Sequence, residues 1–191
     1  MTKGRLEAFS DGVIAVIITI MVLELKAPES PDWDGLRQLL PTFYTYVLSF
    51  IFIGIYWNNH HHLLHATERI AGGAMWANLH LLFWLSLVPF VTAWMGEHPE
   101  ASIPGAAYGI VLLMCGIAYT ILLRTLLAVP GGNPRLEAAV GSDLKGKLSL
   151  LLYCTAIGLS FANQAVADAI YLGVALMWLV PDRRIENELH K

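Results

Sequence analysis

Six apolar segments alternate with short polar stretches along the chain. They occupy residues 9–25, 39–57, 75–94, 106–127, 148–162 and 165–180. The hydrocarbon of a bilayer leaves no water to satisfy backbone groups, so apolar segments of this length indicate helices that cross it. The pattern predicts an all-α polytopic membrane protein with six transmembrane helices, in a single domain over residues 1–191.

Proline, asparagine and glycine residues predict further detail in the third segment, in the last two segments and in the loop before the fifth. Pro89 falls inside the third segment and is expected to kink it. Asn163 and Gln164 are nearly all that joins the fifth and sixth segments, which predicts a tight antiparallel hairpin. In the loop over residues 129–147, Asn133 is expected to cap a short helix that begins at Pro134. Residues 141–143 (Gly, Ser, Asp) are then expected to end this helix and to cap the fifth span.

The first segment differs from the others in its charged and hydroxylated start. Arg5, Glu7, Ser10 and Asp11 run directly into an apolar stretch. A carboxylate inside a membrane is costly and normally faces a protein interior or a wet cavity. The sequence therefore predicts that the first helix is central in the bundle and not peripheral.

Composition agrees with the membrane class. Hydrophobic residues make up 56% of the chain, charged residues 14%, and the mean hydropathy is +0.56. The net charge of -3 gives no reason to expect a nucleic-acid partner. Glu7 and Asp11 disfavour reading the first segment as a cleaved signal peptide.

Basic residues are distributed unequally between the loops. With six spans both termini share one side, and Lys26 and Arg37 are the two basic residues on the other. The remaining ten are Lys3, Arg5, Arg69, Arg124, Arg135, Lys145, Lys147, Arg183, Arg184 and Lys191. Positive residues favour the inside of the membrane, so we expect a multi-pass membrane protein with both termini in the cytoplasm. The acidic outer loops either concentrate cations or form an ordinary solvated surface.

Three distant segments bring polar side chains to the same membrane depth. The second helix ends in residues 57–62 (WNNHHH), the third begins with Trp76, Asn78 and His80, and the first supplies Ser10 and Asp11. We expect a buried network in which His or Asn donors satisfy Asp11. The alternative is that most of these histidines are ordinary residues of the headgroup zone.

A histidine-ligated metal or haem site is a further alternative, which would make the chain a membrane redox protein. His61 and His65 stand four residues apart, on one helical face, and His80 is on another helix. No cysteine motif completes such a set. Catalytic patterns are absent from the sequence, which does not read as an enzyme, and no cofactor is expected.

The start and end of the first helix resemble a known family. Arg5-x-x-x-Phe9-Ser10-Asp11, followed by residues 23–26 (LELK), resembles the signature of prokaryotic members of the transmembrane protein 175 family, whose animal members are endolysosomal potassium channels. The resemblance implies a homotetrameric channel for potassium ions in a bacterial plasma membrane, with the first helix of each subunit around the pore. Together, the family motif and the expected polar cluster predict a structural network of Arg5, Phe9, Ser10, Asp11, Asn58, His61 and His80.

The same resemblance assigns the pore. Val16, Thr19, Ile20 and Leu23 share one helical stripe, which on its own would be read as packing surface. In the family, large aliphatic side chains at these positions form hydrophobic constrictions. Val16 is smaller than the Ile or Leu common there, which implies a wider innermost ring. The sequence has no TVGYG filter, so selection must depend on another device.

Overall fold

The structure, a computed structural model, describes residues 2–140 and 143–179, and within these ranges all regular structure is helical. Its helices are α1 (Lys3–Leu23), α2 (Trp33–Ala66), α3 (Gly72–Ser86), α4 (Val88–Glu97), α5 (Ser102–Leu127), α6 (Pro134–Val140), α7 (Leu144–Ser160) and α8 (Gln164–Leu179). Each predicted apolar segment is mostly helical, but α1 and α7 each end two residues before the predicted end, and Leu87 lies between α3 and α4. The predicted end of the sixth segment, residue 180, lies outside the described residues, as do Gly141, Ser142, Arg183, Arg184 and Lys191.

Four stretches are long and apolar enough to cross a membrane: α1, α2, α3 with α4, and α5. The helices α7 and α8 have 17 and 16 described residues and pack closely on each other as the predicted hairpin. The described structure therefore holds four candidate spans by length and composition.

The third segment is broken where the sequence predicts. One helix ends at Ser86 and the next begins at Val88, with Pro89 in the first turn of α4. Proline has no N–H to donate, and its ring would clash with the carbonyl four residues earlier. The break is therefore a direct consequence of Pro89.

The middle of the bundle is α5, which packs against α3, α4, α7 and α8. Tyr108, Leu112, Cys115 and Leu122 of this helix are fully buried. A Cβ atom at Gly109 would collide with the hydroxyl of Tyr171 on α8. A residue without a side chain at position 109 lets these two helices approach.

The helix α1 lies at the edge of the single chain, so the prediction of a central helix is wrong within one subunit. It packs on α2, α3 and α4 through one face only. The buried side chains of that face are Leu6, Ser10, Ile14, Ile17 and Met21. About 28% of the span is buried, against 50% for the span formed by α3 and α4. Ser10, not Asp11, turns into the protein, so the carboxylate does not draw the helix to the centre.

Contacts between helix ends fix the alternating directions of the helices. Lys3 Nζ donates to the carbonyls of His65 and Thr67, 3.0 and 2.9 Å away, which joins the start of α1 to the end of α2. At the opposite end, Lys26 and Glu97 form an exposed ion pair of 3.5 Å. A cation at a helix C-terminus also interacts favourably with the helix dipole.

The short helix α6 begins at Pro134, as predicted, but the side chain of Asn133 does not cap it. The amide instead accepts from the backbone N–H groups of Glu68 and Arg69 and donates to the carbonyls of Arg69 and Leu126. Asn133 thus ties the loop between α2 and α3 to the end of α5. Asp143 caps α7 as predicted, by accepting from the N–H of Gly146.

Candidate functional site

A buried polar cluster joins the first three helices near the start of α1. Asn78 of α3 donates from Nδ2 to Ser10 Oγ of α1 at 2.9 Å, and its Oδ1 lies 2.7 Å from His60 Nε2 of α2. Ser10 in turn donates to the carbonyl of Leu6. All three side chains are at most 1% exposed. We call Ser10, Asn78 and His60 the foot network, because it fastens the first turns of α1 to α2 and α3.

His60 has a defined tautomer in this arrangement. Its Nε2 faces the acceptor oxygen of Asn78, so this nitrogen carries the proton. Its Nδ1 is buried and has no hydrogen-bond partner among the described residues. Buried polar groups without partners are rare and destabilising, so the rest of the network must hold His60 in place.

The predicted partnership of Asp11 with a histidine or asparagine donor is wrong. Asp11 Oδ1 accepts from Trp57 Nε1 at 3.0 Å, in an exposed position. The helix turns by about 100° per residue, so Ser10 and Asp11 cannot face the same neighbour. Ser10 faces the buried amide of Asn78, and Asp11 faces the indole at the edge of α2.

The other residues assigned to the network are dispersed. His61 Nδ1 pairs with Glu7 Oε1 at 3.1 Å on the surface of the protein. His80 accepts from Trp84 Nε1 within its own helix at 2.9 Å, away from the foot network. The remaining members of the assigned set are exposed: Arg5, Phe9 and Asn58.

Sequence reasoning assigned His61 to the buried network, but the structure places His60 there. A signal for His60 was available, because it lies seven residues after Ile53 and four before Leu64, both fully buried. Positions with that spacing share one face of a helix. Glu7 was missed because its partner, His61, lies 54 residues away in the last turns of another helix, and no spacing rule connects them.

The predicted stripe on α1 faces away from the rest of the chain. Val16, Ile20 and Leu23 are 55%, 43% and 75% exposed, and Thr19 is exposed beside them. The hydroxyl of Thr19 bonds back to the carbonyls of Ala15 and Val16, at 3.1 and 2.9 Å. The proton of this hydroxyl is therefore engaged within the helix. We call Val16, Thr19, Ile20 and Leu23 the α1 stripe.

An open apolar groove runs beside this stripe, between α1 and the α3–α4 break. Its volume is about 790 Å³. Its lining is Ala8, Phe9, Gly12, Val13, Val16, Ile17, Ile20, Glu24, Ser86, Pro89, Phe90 and Ala93. Glu24 is the single charged side chain of this lining. The groove and the stripe together leave about half of the residues of α1 exposed to solvent or lipid, without a packing partner among the described residues.

The alternative in which His61, His65 and His80 together hold one metal ion or haem is contradicted by the geometry. Across residues 2–140 and 143–179, no three histidine, cysteine or carboxylate side chains are placed to hold one metal ion. His80 is bonded to Trp84 and lies on a different helix from the other two.

Comparisons with known proteins match this region and the fold. A sequence profile described as endosomal/lysosomal potassium channel TMEM175 matches residues 5–89, which contain the foot network and the α1 stripe. A potassium channel of Chryseobacterium sp. (strain P1-3) is 53% identical over 99% of this chain and 98% of its own length. A potassium channel of Streptomyces collinus is 31% identical, with 92% and 91% of the two chains covered.

A solved structure has the same fold. It is the crystal structure of a lysosomal potassium-selective channel TMEM175 homolog from Chamaesiphon minutus, with a TM-score of 0.81 and 28% sequence identity. The alignment covers 93% of this chain and 96% of that one.

Proposed function

This chain belongs to the TMEM175 family, a family of channels and not of enzymes, and from that premise we propose that it forms a potassium-permeable channel from four identical subunits. In the assembly the α1 helices of the four copies surround one central pore. The permeant ion is K⁺, and the partners are the other three subunits and the lipid bilayer.

The observation that supports this proposal most directly is the exposed apolar face of α1. Its N-terminal end is anchored by buried hydrogen bonds, yet Val16, Ile20 and Leu23 touch little else in the chain. A helix anchored on one face and bare on the other is suited to a surface shared between copies. One subunit with one such helix cannot enclose a pore, and cyclic symmetry is the usual way to close a ring of identical subunits.

Selection between cations is proposed to occur at the aliphatic side chains of the α1 stripe. Rings of Ile20 and Leu23 would be narrower than a hydrated ion, so passage requires partial loss of the hydration shell. Potassium loses water more readily than sodium, and such a constriction penalises sodium more. Selectivity is modest because a hydrophobic ring supplies no oxygen cage, and Thr19 oxygens offer the nearest polar contact.

The foot network is proposed to hold each α1 at a fixed position and tilt relative to the pore axis. Ser10 lies six residues, about 1.7 turns, before Val16, so the network does not line the constriction itself. We further propose six spans for the chain, with α7 and α8 as the last two and both termini in the cytoplasm. The grouping of Lys3, Arg69, Arg124 and Arg135 at one end of the bundle supports this orientation.

Ion flux through proteoliposomes tests the proposal. Purified protein in vesicles loaded with potassium should allow valinomycin-independent potassium efflux, faster than sodium efflux under a matched gradient. Empty vesicles, and vesicles that contain heat-denatured protein, are the controls. Potassium and sodium fluxes that are both no faster than in the control vesicles would contradict the proposed function.

A further inference from the structure

The last turns of α2 carry two exposed histidines that the proposed channel does not use. The helix has 34 residues, about 51 Å at 1.5 Å per residue, whereas the hydrocarbon is about 30 Å thick. Trp57 and Trp76 are exposed at this end of the bundle, as expected of residues at the headgroup level. His61 and His65 follow Trp57 and are exposed, so water reaches both rings.

The two imidazoles lie next to each other. His61 and His65 are one turn apart on α2, with ring centroids 6.0 Å apart and planes inclined by 25°. Histidines spaced four apart on a helix can direct one nitrogen each to a common ion. Imidazole is a preferred ligand of Zn²⁺, Ni²⁺ and Cu²⁺.

A carboxylate from another helix orients the first of these rings. Glu7 of α1 lies 3.1 Å from His61 Nδ1 and is only 26% exposed, while His61 is 47% exposed. When Nδ1 donates its proton to the carboxylate, Nε2 keeps a lone pair that points away from Glu7. A metal-bound histidine commonly donates its other ring N–H to a carboxylate, which orients the ring and increases its basicity.

From this arrangement we propose that His61 and His65 form a binding site for a divalent transition-metal ion, with Glu7 as the positioning residue behind His61. Two histidines are the protein ligands, and water fills the other positions, since no third ligand side chain of the described ranges is placed to join them. The proposal concerns binding and does not depend on channel activity.

Charges around the site limit its affinity. Lys3 donates to the carbonyl of His65 at 3.0 Å, so its ammonium group repels a bound dication. The charge of Glu7 opposes that effect from the other side of His61. Both residues belong to α1, so an occupied site would connect the end of α2 to the beginning of α1.

Calorimetric titration of the purified, tag-free protein with NiCl₂ tests the proposal. We expect one Ni²⁺ per chain, at least a tenfold loss of affinity in His65→Ala, and a loss of roughly ten- to a hundredfold in Glu7→Gln. His98→Ala is the matched control, because His98 is an exposed histidine in the loop after α4. Its affinity should equal that of the unmodified protein.

Nickel should also raise the melting temperature of the unmodified protein and of His98→Ala, but not that of His65→Ala, since a ligand of the folded state stabilises it. His65 is exposed, so its replacement leaves the core intact, and His65→Gln serves as a second variant. Unchanged nickel affinity in both His65 variants would overturn the proposal, as would an equal loss in His98→Ala.

Discussion

Asn78 is the residue on which the foot network depends. Its amide supplies the donor that Ser10 accepts and the acceptor that His60 faces, so one side chain satisfies groups on two other helices. Loss of this amide leaves the Nε2 proton of His60 buried without an acceptor, and it leaves Ser10 with its bond to the Leu6 carbonyl alone. The cost is larger than for any exposed hydrogen bond of the same region, because water cannot replace the lost contacts.

Asn78→Ala is expected to destabilise the protein by about 1–3 kcal/mol for the orphaned N–H of His60. The added cost at Ser10 should be smaller, because Ser10 keeps its bond to the Leu6 carbonyl. Thermal unfolding in detergent, followed by circular dichroism, measures the effect. Asn58→Ala is the matched control, since Asn58 is exposed at the neighbouring end of α2. Equal melting temperatures for the two variants would show that the network contributes nothing to stability.

Asp11 is expected to matter less for stability than Asn78. Asp11→Asn keeps an oxygen that can accept from Trp57 Nε1, and Asp11→Ala leaves that indole N–H at a site where water can replace the carboxylate. The destabilisation in Asp11→Ala should stay below about 1 kcal/mol, and the ratio of potassium to sodium permeability should barely change. A large change of selectivity in Asp11→Asn would identify Asp11 as an ion site.

At the scale of elements, α1 combines two opposite surfaces. One face carries Leu6, Ile14, Ile17 and Met21 into the core, and the other carries the α1 stripe. A helix this apolar on all sides shows little periodicity in its sequence, so the difference between its faces emerges only from what packs against it.

Ile20→Ala and Leu23→Ala should widen the proposed constriction. Sodium permeability should then rise relative to potassium, because ions would pass with more of their hydration water. Reversal potentials in planar bilayers under asymmetric potassium and sodium provide the measurement. Val22→Ala is the matched control, since Val22 is 46% exposed on α1 but outside the stripe. If Ile20→Ala and Leu23→Ala keep the same ratio of potassium to sodium permeability as Val22→Ala and the unmodified protein, the stripe does not select between the ions.

The contact of α5 with α8 gives a prediction about stability alone. Gly109→Ala places a methyl group against the Tyr171 hydroxyl and Ile157, so the helices must separate or Tyr171 must move. Overpacking of this kind typically costs about 1–3 kcal/mol. Gly158→Ala is the control, because nothing lies within 4 Å of its added Cβ atom. A melting temperature for Gly109→Ala at or above that of Gly158→Ala would contradict the tight contact.

At the scale of the whole molecule, the proposed pore requires more than one copy of the chain. The α1 stripe and the groove beside α4 form a continuous apolar surface along the outer edge of α1. Within a bilayer, lipid could cover that surface, so its apolar character alone does not distinguish lipid from a second copy. The proposed tetramer requires that a second copy cover it.

Assembly is open to a direct measurement. Amine-reactive crosslinking of the native protein in a mild detergent should give a ladder of bands that ends at four subunits. Light scattering should give the mass of a tetramer. The same crosslinking in denaturing detergent should leave the monomer alone. A monomeric mass under native conditions would remove the proposed pore, since one α1 cannot enclose it.

The sequence by itself determined the elements of this protein. Apolar length defined the helices, Pro89 broke the third segment, and the pattern at Arg5, Phe9, Ser10 and Asp11 indicated the family. These features are local: hydrocarbon thickness sets helix length, and the missing N–H of proline acts on its own turn. Because these effects act within a few residues, the amino-acid sequence alone is enough to predict them.

Only the tertiary structure decided which polar groups meet. Ser10 and Asp11 are adjacent in sequence, yet one reaches Asn78 and the other Trp57, and His60 is buried while His61 is exposed. A rotation of a helix by one residue exchanges such partners without changing its apolar length or composition. Helix rotation is set by packing between distant segments, so the position of each side chain in the site depended on the folded bundle.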